Sequence, residues 1–159
     1  MFVLCFMYSC DTTDTGKGSL AKEKSGVSSC SKGEAPPVVV WGKDEIERVP
    51  CELYNAFNRY WDYRENFDWN SIYDMEAPHV RWATDLIRFK KIFALASKLL
   101  NVNVVQVEKV TNEIYDIHVK SRMISVRTGN EMEVWTDEKW IKVDGKWFHV
   151  WKSPFLQFN

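Results

Sequence analysis

The chain has 159 residues, 45% hydrophobic and 14% aromatic, enough apolar surface for one folded domain plus a tail. Its formal net charge is −1 and its longest basic run is the pair Lys90-Lys91, so the clustered basic face that nucleic acid needs is absent. The cysteines Cys5, Cys10, Cys30 and Cys51 match no zinc or haem spacing and imply no disulfide framework, and Cys51 reads as a small buried apolar side chain.

The first ten residues, MFVLCFMYSC, are an apolar run that stops at a cysteine. The stretch that follows, DTTDTGKGSLAKEKSGVSSCSKGEAPP, is rich in Ser, Thr, Gly and Lys and too poor in apolar residues to offset its ordering entropy. Residues 1–42 are therefore expected to be a leader and a disordered linker. An apolar run, a small residue (Ser9), a cysteine and a polar tether resemble a bacterial lipoprotein signal. The resemblance implies a lipid on Cys10, with Asp11 resembling an inner-membrane retention signal. It lacks the leucine three positions before the cysteine and a basic leader, and its apolar run is short. The implied location is the periplasm or cell envelope, lipid-anchored; the alternative is a disordered cytoplasmic N-terminus. No run approaches the ~20 apolar residues that a spanning helix needs.

From Lys43 onward the pattern is that of a domain, 43–159. Ile46, Val49, Leu53, Phe57, Tyr60 and Trp61 recur at steps of three and four and predict one helix over about 44–65. DWNSIYDMEAP predicts a short second helix closed by Pro78. A third is expected over about 84–99, with Leu86, Phe89, Phe93, Ala96 and Leu100 inward. The period then falls to two. Strands are expected at about 103–110, 114–127 and 130–136, the last continuing toward 143, with Tyr115, Ile117, Val119, Ser121 and Met123 facing in.

Asp144-Gly145 is a two-residue hairpin signal that pairs Val143 with Lys146, Ile141 with Phe148 and Trp140 with His149. One hairpin face carries Ile141, Val143, Phe148 and Val150. The other carries Trp140, Lys142, Trp147, His149 and Trp151. The first is expected to meet the helices. The second is expected to meet a partner or another element of the chain, because a large exposed apolar patch is rare and aromatic side chains are enriched at interfaces.

The order of helices, then antiparallel strands, gives an α+β class. The residues AFNRYWDYRENFDWNSIYDMEAPHVR, with Tyr60-Trp61, Asp68-Trp69, Tyr73, Pro78 and Arg81, resemble the helical start of nuclear-transport-factor-2-like domains of the cystatin-like superfamily. EKWIKVDGKWFHV is similar to the closing hairpin of that family. The resemblance covers about residues 43–153. It implies a cone made of three N-terminal helices on a curved antiparallel sheet of about four strands, an apolar pocket in the cone mouth, and dimerisation through the outer sheet face. Family activities include isomerases, dehydratases, cyclases and non-catalytic binding or assembly, so the fold does not choose among them.

On this picture the pocket is lined by Tyr54, Phe57, Trp61, Tyr73, Trp82, Tyr115 and Met123. Trp140, Trp147, His149 and Trp151 form the homodimer face. Acid–base candidates are Tyr73, Asp74 and His79; His118 reads as a surface side chain and Arg81 as an ion-pair partner. No carboxylate falls on the inward face of the 114–127 strand, where an isomerase of this type would place one. The three histidines lie on separate elements, so no metal and no cofactor are expected. The expected function is a non-catalytic envelope domain that binds an apolar small molecule or a protein partner; the alternative is an isomerase-, dehydratase- or cyclase-type enzyme.

Overall fold

The computed structural model describes residues 30–93 and 97–152. Ser31 to Pro37 run along the first long helix. Strand β1, Val39–Trp41, follows and is four residues short of where the domain was expected to begin. It pairs in parallel with β2 in the register Val39↔Val102 and Trp41↔Val104, and Val38 and Val39 are buried. A sulfur bridge joins Cys30 to Cys51 across this arm. That corrects the expectation of no disulfide: cysteine spacing along a chain does not reveal that a folded-back arm brings two of them together.

The single helix expected over 44–65 is two. α1, Lys43–Arg48, has Asp44 and Glu45 in its first turn, where carboxylates suit the helix dipole. Pro50 forces Val49 into an extended conformation, φ −100° and ψ 141°, which ends α1. The same proline begins α2, Cys51–Glu65, whose Leu53, Tyr54, Phe57, Tyr60 and Trp61 are buried. Phe67 sits at φ 55°, and Asp68 caps α3, Trp69–Met75, accepting from the Ser71 amide at 3.2 Å and its hydroxyl at 2.6 Å. Pro78 opens a helix rather than closing one: α4 is Pro78–Ala83, with proline at its first turn, where no amide hydrogen is needed. After the Thr84-Asp85 corner, α5 is Leu86–Phe93.

The last expected helix is shorter than predicted because Lys98–Lys109 is already strand β2. Leu99 and Leu100 therefore belong to the sheet, and Ala96 lies outside the described residues. β3 is Ile114–Ile124, β4 Glu131–Val143 and β5 Lys146–Val150. The described sheet has five strands in the order β1-β2-β3-β4-β5, antiparallel except for β1, so it is mixed and not a four-stranded antiparallel sheet. Two register shifts in β2 bend it, between Leu99 and Asn101 and between Val104 and Gln106. Beside the second, the Val107 amide donates to Glu45 of α1 at 2.7 Å.

Asp144 and Gly145 both have positive φ, 49° and 79°, and the hairpin has the expected register, Trp140↔His149 and Ile141↔Phe148. Its two faces are the reverse of the expectation. Trp140 is 0% exposed, Trp147 6% and His149 5%, all inside the domain. Ile141, Val143, Phe148 and Val150 look outward and are half-buried. The cause is register: Tyr115 pairs with Trp140, and both must point to the side on which Ile117 and Val119 are buried. The aromatic face is core, not partner surface. The outward face of β3 and β4 is laced by cross-strand pairs, His118–Asp137 at 2.6 Å, Lys120–Glu133 at 2.8 Å and Lys139–Asp116 at 2.7 Å.

Candidate functional site

The side chains expected to line a pocket instead fill the space between helices and sheet. Phe57, Trp61 and Trp140 are 0–1% exposed, and Phe57 meets Trp61 and Trp140 with ring centres 6.2 and 5.9 Å apart. Tyr54 and Tyr115 are buried beside them, against Trp41 and Trp147 respectively. Trp82 is not in the interior at all, being 92% exposed, and Met123 is half-buried on β3.

The acid–base candidates are dispersed. The Tyr73 hydroxyl is 3.0 Å from the Arg81 carbonyl and 2.9 Å from that of Thr84, where it holds the end of α4. His79 is exposed in the first turn of α4. Arg81 stacks over Phe148 at 5.9 Å and forms no ion pair among the described residues. His118 is ion-paired on the outer sheet face. Asp74 is exposed and borders an open groove of about 540 Å³ between α2, α3 and the β4–β5 turn. Its neighbours there include Glu52, Arg59, Tyr63, Lys146 and Trp147. Among the described residues, none of the four charged groups Glu52, Arg59, Asp74 and Lys146 has an ion-pair partner. A second groove, about 710 Å³, runs between Glu34–Pro37 and α2 and shares Arg59; it borders the buried Asn58, whose Oδ1 accepts from Trp41 at 2.8 Å.

Sequence reasoning missed a buried polar cluster. Glu76, 0% exposed, lies in the extended link between α3 and α4 and forms a parallel bridge with His149 of β5. The Ala77 amide donates to the His149 carbonyl at 2.7 Å, and the Trp151 amide to Glu76 Oε2 at 3.0 Å. Glu76 Oε1 is 2.9 Å from His149 Nδ1 and 3.5 Å from the Tyr60 hydroxyl. Burial disfavours the imidazolium, yet the charge and hydrogen bond of Glu76, helped by Glu138, lift the His149 pKa above its usual value. Glu138, 4% exposed, is raised chiefly by burial, and its Oε2 has no partner among the described residues. The Tyr60 phenol is raised well above its usual value, first by burial and then by Glu76.

Glu138 was legible in principle. It shares the parity of Trp140, so the pairing that turns Trp140 inward also turns Glu138 inward. Glu76 was not, since nothing local marks a glutamate before Ala77-Pro78 as the partner of a histidine 73 residues away. Neither groove reaches this cluster. Among the described residues no group of three or more His, Cys, Asp or Glu side chains is placed to hold a metal ion. Cys10 lies outside the described residues.

These features define a small α+β domain with a packed aromatic interior, two open grooves beside α2 and a buried Glu–His–Tyr lock. No protein-family model matches the chain. No curated protein matches it either. Among solved structures, a SEC-C motif containing protein from Rhodopseudomonas palustris is similar with a TM-score of 0.52 at 14% identity, covering 61% of this chain and 73% of that one. A SEC-C motif containing protein from Psychrobacter arcticus gives a TM-score of 0.47 at 10% identity, over 73% of this chain and 68% of that one. The first likeness concerns the fold alone and agrees with an α+β domain.

Proposed function

We propose that this chain is an extracytoplasmic domain of the nuclear-transport-factor-2-like, cystatin-like kind, tethered by a lipid on Cys10. It binds an extended segment of a partner protein in the groove beside α2, without catalysis. Supporting the fold type, a helical half containing Tyr60-Trp61 packs on a bent sheet that ends in the Asp144-Gly145 hairpin. Supporting the compartment, a bridge such as Cys30–Cys51 is characteristic of oxidising surroundings such as the bacterial periplasm and is rare in a reducing cytoplasm.

The observation that carries the binding reading is the filled interior. Trp61, Trp140, Tyr60 and Phe57 occupy the volume that an apolar small molecule would need. The groove at Asp74 has the opposite character: charges of both signs that have no ion-pair partner among the described residues, beside Tyr63, Trp147 and Phe148. That mixture suits a polypeptide, whose backbone and side chains offer donors, acceptors and apolar contact together.

A photo-cross-linking residue at Lys146, in full-length protein expressed with its leader, tests this reading. A discrete protein adduct is expected, lost on Arg59→Glu and absent when the cross-linker stands at Asp137 on the outer sheet face. Equal adducts at both positions, or adducts indifferent to Arg59→Glu, refute it. A second reading, acid–base catalysis, has the Glu76–His149 pair in its favour, but that pair is enclosed by Tyr60 and Trp140 and borders neither groove.

A further inference from the structure

The α4–α5 corner carries a surface whose residues line neither groove. Trp82, the next-to-last residue of α4, is 92% exposed, the most exposed large apolar side chain among the described residues. Five residues on, Ile87 is 68% exposed, and Ile92 is 37% exposed. α5 turns Phe89 fully inward; Ile87 and Lys91 lie on the opposite side of the helix and Arg88 and Ile92 on one flank, all exposed. These fall at helical i, i+4 spacing, Ile87 with Lys91 and Arg88 with Ile92, in two adjacent rows that each join one isoleucine to one cation.

The contrast with the sheet is informative. On the outer face of β3 and β4, His118, Lys120, Arg122 and Lys139 each have a carboxylate partner within 2.9 Å. On α5, Arg88 and Lys91 have none among the described residues. The acid nearest in sequence, Asp85, uses Oδ1 to accept from the Arg88 amide at 2.8 Å, capping the helix. Tyr73, bonded to the carbonyls of Arg81 and Thr84, fixes the corner to α3. Exposed tryptophan and isoleucine beside exposed cations, on a helical corner, are the composition of a surface that lies at a lipid–water boundary. There an indole sits at headgroup depth and basic side chains meet anionic phosphates.

We propose that this corner is a membrane-contact surface: Trp82 and Ile87 enter the headgroup layer of an anionic bilayer, and Arg88 and Lys91 pair with its phosphates. The contact is independent of acylation at Cys10. It would orient the domain with its α4–α5 corner toward the bilayer.

Full-length Cys10→Ala protein, which cannot be acylated at that position, separates this idea from the lipid anchor. It is floated with vesicles of mixed phosphatidylcholine and phosphatidylglycerol, and with phosphatidylcholine alone. Binding should be stronger to the anionic vesicles and fall as salt rises. Arg88→Glu/Lys91→Glu should weaken that binding by about tenfold or more. Trp82→Ala should weaken it too, and brominated phospholipid should quench tryptophan emission less in Trp82→Phe than in its parent. All these side chains are solvent-facing, and unchanged near-ultraviolet circular dichroism confirms that each variant is folded. The proposal is overturned if no anionic preference exists, or if both the charge-reversed and the Trp82 variants float as their parent does; a surface that docks only protein would give the latter result.

Discussion

Removal of the Cys30–Cys51 bridge gives the most direct measure of how the N-terminal arm belongs to the domain. The two cysteines are 21 residues apart, and a cross-link closing a loop of that length removes unfolded-state entropy worth about 3 kcal/mol. The native arm has other ties: the Gly33 amide donates to Asn55 Oδ1 at 3.0 Å, the Asn55 side-chain amide donates to the Ser31 carbonyl at 3.1 Å, and β1 pairs with β2. The Cys30→Ser/Cys51→Ser protein should therefore keep its fold and lose stability mainly through a freer unfolded chain. With a urea dependence of about 1.5 kcal/mol per molar, the unfolding midpoint should drop by about 2 M. Adding a reductant should shift the wild type by a similar amount and leave the double variant unmoved. A double variant that unfolds at the wild-type urea concentration, with the wild type insensitive to reductant, would refute the reasoning and remove the support the bridge gives to an extracytoplasmic location.

Trp140→Ala should cost about 3–5 kcal/mol, because the ring is wholly buried against Phe57, Tyr60 and His149; a variant with wild-type thermal stability and an altered oligomeric state would instead mean that the aromatic face meets a partner. The buried cluster makes stability fall as pH rises. His149 is raised above 6.5 by the carboxylates of Glu76 and Glu138 against the opposing effect of burial, with Tyr60 and Arg64 of α2 also facing it, so its contribution is complete below about 6.5 and is lost as pH climbs through the higher folded value. Glu138, raised above 4.5 chiefly by burial, adds a loss of the same sign that begins nearer its own unfolded value. Urea midpoints across mildly acidic to mildly alkaline pH check this: His149→Gln should flatten the upper part of the profile and Glu138→Gln the lower, and a wild-type midpoint that rises with pH contradicts it.

Element type was readable from periodicity wherever one face is buried. The buried stripe Leu53-Phe57-Tyr60-Trp61 and the alternation of β3 are strong local patterns, and Asp144-Gly145 fixed the hairpin register by itself. Boundaries failed where a single residue outweighed the pattern. Pro50 cut one helix into two without changing its apolar spacing, and Pro78, read as a stop, is a start. Leu99 and Leu100 fit a helical stripe and a strand equally well, and only pairing with β3 decides between them. The arm and its disulfide were invisible because a Ser- and Gly-rich stretch gives no sign that Val38 and Val39 will find a place in the core.

The reversed hairpin faces and the missed acidic cluster have one origin. Alternation assigns residues to two faces but does not say which face is inside; that information passes from strand to strand through register. β3 is unambiguous, since its odd face is apolar and its even face carries Asp116, His118, Lys120 and Arg122. Pairing Tyr115 with Trp140 carries the choice to β4, and pairing Trp140 with His149 carries it to β5. Once that chain of pairs is followed, Glu138 and His149 must be inside, and a buried histidine needs a partner because an unpaired polar group in the core is costly. Glu76 supplies it from the α3–α4 link, and the same carboxylate also accepts from the Trp151 amide. The cluster thereby ties the helical layer to the last strand at the one place where the chain, having left α3, must turn along the sheet before α4. A domain whose interior is otherwise aromatic and non-directional has its helix-to-sheet alignment set by this polar lock.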